Sequence, residues 1–187
     1  ELTYDLNGNI KTLKRFTSPQ SGSTNAQIVD NLTYTYNNST YSNQLNNIID
    51  ASGNTSGYPG GGNIITYDEN GNMKNNLDKK IKNITYNNLN LPNIIDQVVV
   101  SGPMGMFSSG NLFNYKYRSD GVKVEKHIDH KSPYGQFFTT FQYFDGFQYS
   151  KYYENISTSE DPYVSDFILQ FVPTSEGYYD FSKNQYI

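Results

Sequence analysis

Few residues in this chain have the type and spacing that chemistry needs. Asp68-Glu69-Asn70-Gly71-Asn72 gathers oxygen ligands in a short run, as a calcium loop does. An EF-hand loop also needs further acids and a closing glutamate at its twelfth position. Counted from Asp68, that position is Lys79, so the run reads as a hairpin turn. His127-Ile128-Asp129-His130 offers two imidazoles and a carboxylate. On a strand the two histidines point to opposite faces, and only a loop would bring them together as metal ligands. Glu154, Glu160, Asp161 and Glu176 are available for glycosidase chemistry, which needs two carboxylates across a cleft. Nothing in their spacing pairs them, and they read as solvated loop acids. No Gly-x-Ser-x-Gly elbow occurs, and the chain has no cysteine. Thiol catalysis, disulfide scaffolds and cysteine-ligated zinc are thereby excluded.

The elements that would hold such residues are strands and turns. The 187 residues suffice for one domain with a real core. Tyrosine occurs 18 times and phenylalanine 11 times, against two alanines, Ala26 and Ala51. Good helix formers are scarce and strand formers abundant. Low hydrophobicity can signal disorder, but disordered chains lack aromatics. With 14 basic and 18 acidic residues the net charge is −4, which argues against a nucleic-acid binder. No apolar run approaches the roughly 20 residues of a membrane helix. Asn31-Leu32-Thr33 and Asn83-Ile84-Thr85 are glycosylation sequons. A chain so rich in asparagine carries such triplets by chance.

An internal repeat organises the chain. Tyr4-Asp5-Leu6-Asn7-Gly8-Asn9-Ile10 recurs as Tyr67-Asp68-Glu69-Asn70-Gly71-Asn72-Met73, identical at five of seven positions. Looser copies begin at Leu32, with Tyr34 and Tyr36, at Ile84, with Tyr86 and Asn90, and at Phe113, with Tyr117, Asp120 and Gly121. Each copy is an alternating strand, a tight polar turn and a second apolar stretch. Leu32, Tyr34 and Tyr36 share one strand face, as do Phe113, Tyr115 and Tyr117. Asn7-Gly8, Asn70-Gly71 and Asp120-Gly121 are short-range hairpin signals, their residues tolerating positive φ. Asn90 takes the glycine position in its copy and is the least costly replacement there. In the Tyr36 copy the turn is expanded to Asn37–Asn43, which predicts a longer loop.

Between the copies, Ser18–Ser23, Gly53–Gly62 and Ser101–Gly105 read as loops, the glycine-rich second one as mobile. Val98-Val99-Val100 suits a strand buried on both faces. After about residue 125 the repeat fades but the β character persists. Phe137–Phe144, Asp145-Gly146 and Phe147–Tyr149 make another hairpin. Ile156–Pro162 reads as loop, and Asp166–Val172 as a strand ending at Pro173. No segment shows helical periodicity.

The tyrosine–aspartate–x–x–glycine–asparagine unit resembles the YD repeat of the RHS (rearrangement hotspot) family. Phe144-Asp145-Gly146-Phe147-Gln148-Tyr149 and Phe171–Tyr178 resemble the stretch just before the RHS core in Bacteroidetes-type members. The resemblance implies an all-β fold of serial YD-repeat hairpins in a curved, spiralling antiparallel sheet, part of a hollow shell. Residues 1–125 would be repeat hairpins and 126–187 the continuing segment before the core. It further implies a non-catalytic role in a secreted or cell-surface protein whose shell encloses a C-terminal toxin or effector. The partners expected are the rest of a longer chain, its RHS core and effector, and secretion machinery or other proteins.

On this reading no residue carries catalysis, a metal or a cofactor. Tyr4, Asp5, Asn7, Gly8, Tyr67, Asp68, Asn70, Gly71, Tyr86, Asn90, Tyr117, Asp120 and Gly121 set the repeat turns. Repeat units bury their faces against neighbours, so terminal strands would leave open edges prone to aggregation or strand pairing. The other function class open to this composition is a β-rich surface adhesin, with aromatics and asparagines forming a carbohydrate- or protein-binding platform. A glycosidase-type enzyme stands behind both.

Overall fold

The structure is a computed structural model and describes residues 1–19, 21–22, 24–38, 42–101, 107–132, 135–156 and 162–187. The chain divides into two compact units, Glu1–Ile81 and Lys82–Ile187.

In the first unit, β1 (Leu2–Tyr4), β2 (Ile10–Thr17), β3 (Gln27–Tyr36) and β4 (Leu45–Asp50) form a four-stranded antiparallel sheet in chain order. Alternation in β3 decides its buried face. Asp30, Leu32, Tyr34 and Tyr36 turn inward while Thr33 and Thr35 stay exposed. Leu13 lies opposite Leu32 and Tyr34 opposite Ile48. Leu32, Ile48 and Ile65 make the small apolar core of this unit. Beyond β4, the segment from Gly61 follows its outer edge through separate bonds rather than a ladder. Gly62 N–H donates to the Ile48 carbonyl and Ile65 N–H to the Asn46 carbonyl, each at 2.7 Å. A single 3-10 turn at Leu77–Lys79 follows, capped at its start by Asn76.

The second unit holds a larger antiparallel sheet. Its strands are β5 (Ile81–Tyr86), β6 (Pro92–Ser101), β7 (Phe107–Tyr117), β8 (Lys123–Ser132), β9 (Gly135–Phe144), β10 (Phe147–Ile156), β12 (Ile168–Thr174), β13 (Gly177–Asp180) and β14 (Gln185–Tyr186), in that spatial order. The short β11 (Tyr163–Val164) pairs with β10 beside β12. The register fixes the two faces. Ile95, Phe113, Ile128, Thr139 and Tyr152 form one cross-strand row. Lys116, Glu125, Gln142 and Tyr149 form a row on the opposite face. Among the described residues of these strands, Ile84 and Ile128 are the buried apolar ones. Among the described residues no large side chain is wholly buried. The apolar burial is therefore spread over half-buried strand faces rather than gathered in a deep core.

Two expectations change. The resemblance implies one curved, spiralling sheet that belongs to a shell. The structure instead has two open sheets, each with a linear strand order, neither closed nor strongly curled. A curved, spiralling β-shell is therefore not what the described strands build. The physical reason lies in the third repeat. Its second arm, residues 73–76, is short and polar, and it meets residues 62–67 at the isolated Tyr67–Met73 bridge and through one bond from Lys74 N–H to the Thr66 carbonyl (2.7 Å). Lys74-Asn75-Asn76 has no β-branched or aromatic residue to pack on a pleated surface. The regular ladder lapses at this hairpin.

The second change concerns Pro173. The sequence reading ends a strand there, yet β12 runs through it, with Pro173 opposite Tyr178. Pairing with β10 ends at Phe171. Proline's missing N–H thus costs no ladder bond on that side. The predicted hairpin at Asp145-Gly146 and the predicted run Val98–Val100 fall in β9–β10 and β6. Of the predicted loops, residues 20, 23, 39–41, 102–105 and 157–161 lie outside the described residues.

Candidate functional site

The repeat turns share one construction. Asp5 N–H donates to the Asn9 carbonyl (2.9 Å), and Gly8 N–H donates back to the Asp5 carbonyl (3.2 Å). Three residues are thereby enclosed, a type I turn followed by a left-handed residue. Gly8 supplies that residue at φ +85°. Its partner Asn7 keeps negative φ, so only one of the two signal residues needs the left-handed region. The Asp5 carboxylate is the hub. It accepts from Asn7 N–H (2.9 Å), Asn9 N–H (2.8 Å) and Asn9 Nδ2 (2.9 Å). The Asn9 side chain, and behind it the Asn9 and Asn7 N–H groups and Lys11, hold the Asp5 carboxyl below its ordinary value.

Asp68 repeats this bond for bond. It accepts from Asn70 N–H (3.0 Å), Asn72 N–H (2.8 Å) and Asn72 Nδ2 (3.0 Å), and Gly71 stands at φ +84°. In the Tyr86 copy, Asn87 takes the hub position and accepts from Leu89 and Leu91 N–H (2.9 and 3.1 Å). Asn90 occupies the left-handed position at φ +56°. In the Tyr117 copy the hub position holds Arg118, which cannot accept. Asp120 compensates from inside the turn: it accepts from Val122 N–H (3.0 Å) and pairs with Arg118 Nη2 (2.6 Å). Gly121 stands at φ +87°.

The tyrosine that opens a copy reaches back to the copy before it. Tyr36 Oη donates to the Ile10 carbonyl (2.9 Å), Tyr67 Oη to the Leu45 carbonyl (2.7 Å) and Tyr117 Oη to the Pro92 carbonyl (2.8 Å). Each acceptor is the first residue after the preceding turn. The phenol thus fixes one hairpin against its neighbour through a backbone group that sequence choice cannot remove. Tyr4 stands in β1, 55% exposed, and Tyr86 ends β5. The sequence reading names the tyrosines as strand residues and misses this register lock. It also passes over Asn9 and Asn72, although their identity in both close copies marks them.

A buried polar cluster sits in the first unit. Asp30, on the core face of β3, accepts from Arg15 Nε (2.5 Å) and Tyr58 N–H (2.7 Å). Asp78 accepts from Tyr58 Oη (3.0 Å) and Asn63 Nδ2 (2.5 Å). Burial, and then Asp78 at its hydroxyl, push the Tyr58 phenol far above its ordinary range. Both carboxylates, 3% exposed, are spent on holding the Gly53–Gly62 loop. Gly57 lies so close to the Asp30 carboxylate and the Val29 carbonyl that a Cβ has no room there. The loop expected to be mobile is tied to β3 by the Tyr58 N–H and to the 3-10 turn by the Tyr58 hydroxyl.

The acids and imidazoles with chemical potential stay apart. His127 Nδ1 bonds Thr140 Oγ1 (2.9 Å) and its ring stacks on Phe138. His130 bonds Asn111 Oδ1 (2.9 Å) and Thr139 Oγ1 (3.0 Å) on the other face. Among the described residues no group of three or more metal-ligating side chains converges. Glu154 faces Tyr163 across a ladder, Glu176 lies in the β12–β13 turn, and Glu160 and Asp161 lie outside the described residues. The Asp68 carboxylate is engaged within its own turn, accepting three hydrogen bonds from Asn70 and Asn72.

One cleft of about 570 Å³ opens on the second unit. It is lined by Lys116, Val124, Glu125, Gln142, Tyr143, Phe144, Tyr149 and Phe167. No family model, curated protein or solved structure matches the chain.

Proposed function

We propose that this chain is a structural, non-catalytic β-hairpin repeat scaffold of a secreted or cell-surface protein. The observation that carries the reading is the serial use of one turn and one tyrosine lock. Residues that elsewhere do chemistry are here consumed in building: Asp5 and Asp68 hold turns, and Asp30 and Asp78 hold a loop. Repetition of a unit that contacts mainly its chain neighbours suits an extended surface more than an enclosed site. The likeness of the tandem units to YD repeats supports placement outside the cell. The partners on this reading are other parts of the same polypeptide and proteins met at the surface.

The test is fractionation of the source cells, followed by intact-mass measurement of the polypeptide that carries this sequence. Recovery from the surface or the medium is expected. Confinement to the cytosol, or hydrolytic turnover abolished by neutralising one acid, overturns the proposal.

A further inference from the structure

We propose that the cleft of the second unit binds a neutral oligosaccharide. Four strands contribute one straight row to its floor: Lys116 from β7, Glu125 from β8, Gln142 from β9 and Tyr149 from β10. Lys116 Nζ pairs with Glu125 Oε1 at 2.7 Å. Gln142 Nε2 reaches Glu125 Oε2 at a long 3.4 Å, which leaves the amide able to turn to a ligand. The Lys116 ammonium keeps the Glu125 carboxyl below its ordinary value, so the carboxylate is an acceptor at neutral pH. Two further aromatic rings line the cleft beside the row: Phe144 in β9 is 72% exposed, and Phe167, just before β12, is 41% exposed.

An aromatic lining with a few convergent polar groups is the general form of a small-molecule site, and about 570 Å³ lies within the usual size range. The chemistry selects the ligand class. Lysine and glutamate cancel, so the floor favours neither an anion nor a cation. A carboxylate accepts hydroxyl protons, a carboxamide both accepts and donates, and an ammonium donates. The ligand must then carry several adjacent hydroxyls. The exposed rings ask for a flat apolar face on the same molecule. A pyranose has both: C–H groups on its face and hydroxyls around its edge. An extended peptide, by contrast, meets its hydrogen bonds at a sheet edge, not across the face of four paired strands.

The test is calorimetric titration of the full chain with cellotetraose, chitotetraose, xylotetraose and mannotetraose, with a heparin tetrasaccharide as the anionic probe. Saturable binding of at least one neutral probe is expected. Phe167→Ala and Gln142→Ala should each weaken it about tenfold or more, with circular dichroism and thermal midpoint unchanged. Phe16→Ala, an exposed ring in the other unit, should leave it unaltered. Three results overturn the proposal: no heat from any neutral probe at millimolar concentration with folded protein, binding that survives both variants, or preference for the heparin probe. The scaffold reading is tested by location, so either proposal can fail alone.

Discussion

At the scale of single residues, the aspartates of the turns act as acceptors. Asp5 and Asp68 are held below the ordinary value of 3.8 in the folded chain. For Asp68, partial desolvation pushes upward, but the Asn72 side chain and the Asn72 and Asn70 N–H groups outweigh it. A folded-state value below the unfolded one means the ionised form favours folding. The contribution is present above the unfolded value and is lost as pH falls through the folded one. Thermal melts between pH 6 and about pH 2.5 should show the wild type losing midpoint mainly below about pH 3.8. Asp5→Asn with Asp68→Asn should flatten that acid limb, and an unchanged limb would show the carboxylates to be idle. The sequence made the turns legible through their glycines. The hub role of Asp5 was less so, because counting residues that tolerate positive φ credits Asn7 and Asn70, which do not use it. The Arg118 copy shows the limit: an acceptor lost at one position is restored by Asp120 two residues on, which only coordinates reveal.

At the scale of elements, the tyrosine locks and the Asp145-Gly146 hairpin allow quantitative tests. Tyr36→Phe, Tyr67→Phe and Tyr117→Phe each remove one hydroxyl and strand one carbonyl. Each should cost about 1 kcal/mol in urea denaturation, with an unchanged m-value. Asp145 and Gly146 both take positive φ, +46° and +89°, the two-residue form that matches strand twist. A Cβ on Gly146 would lie 2.8 Å from Pro173 Cγ, whereas one on Gly8 would meet open space. Gly8→Ala should therefore cost only the left-handed penalty, about 1 kcal/mol, and Gly146→Ala measurably more; equal losses would show Pro173 to yield freely. The β9–β10 hairpin was plain in the sequence because apolar runs flank Asp-Gly. The lapse of the ladder at the third repeat was not. Its turn is identical to the first at five of seven positions, and the difference lies in the arm after the turn, where Lys74-Asn75-Asn76 is too polar to sustain pairing.

For the molecule as a whole, two units of different build divide the chain at Ile81. The first rests on the Asp30–Tyr58–Asp78 cluster, which no local motif announces, since its members come from separate elements. Gly57→Ala drives a methyl group into the Asp30 carboxylate and should cost about 2–4 kcal/mol. Hydrogen exchange should then quicken across β2–β4 while the amides of β7–β10 keep their protection. Uniform quickening across both would show a single cooperative block. The strand order has a further consequence. Every named ladder joins strands that are adjacent, or nearly so, along the chain, the one skip being β10 to β12 across β11. Sequence separations between contacting residues are small for an all-β protein, so closing each pair costs little loop entropy. Such a chain has no need to wait for its far end. Each new strand can pair with the last as soon as the chain supplies it.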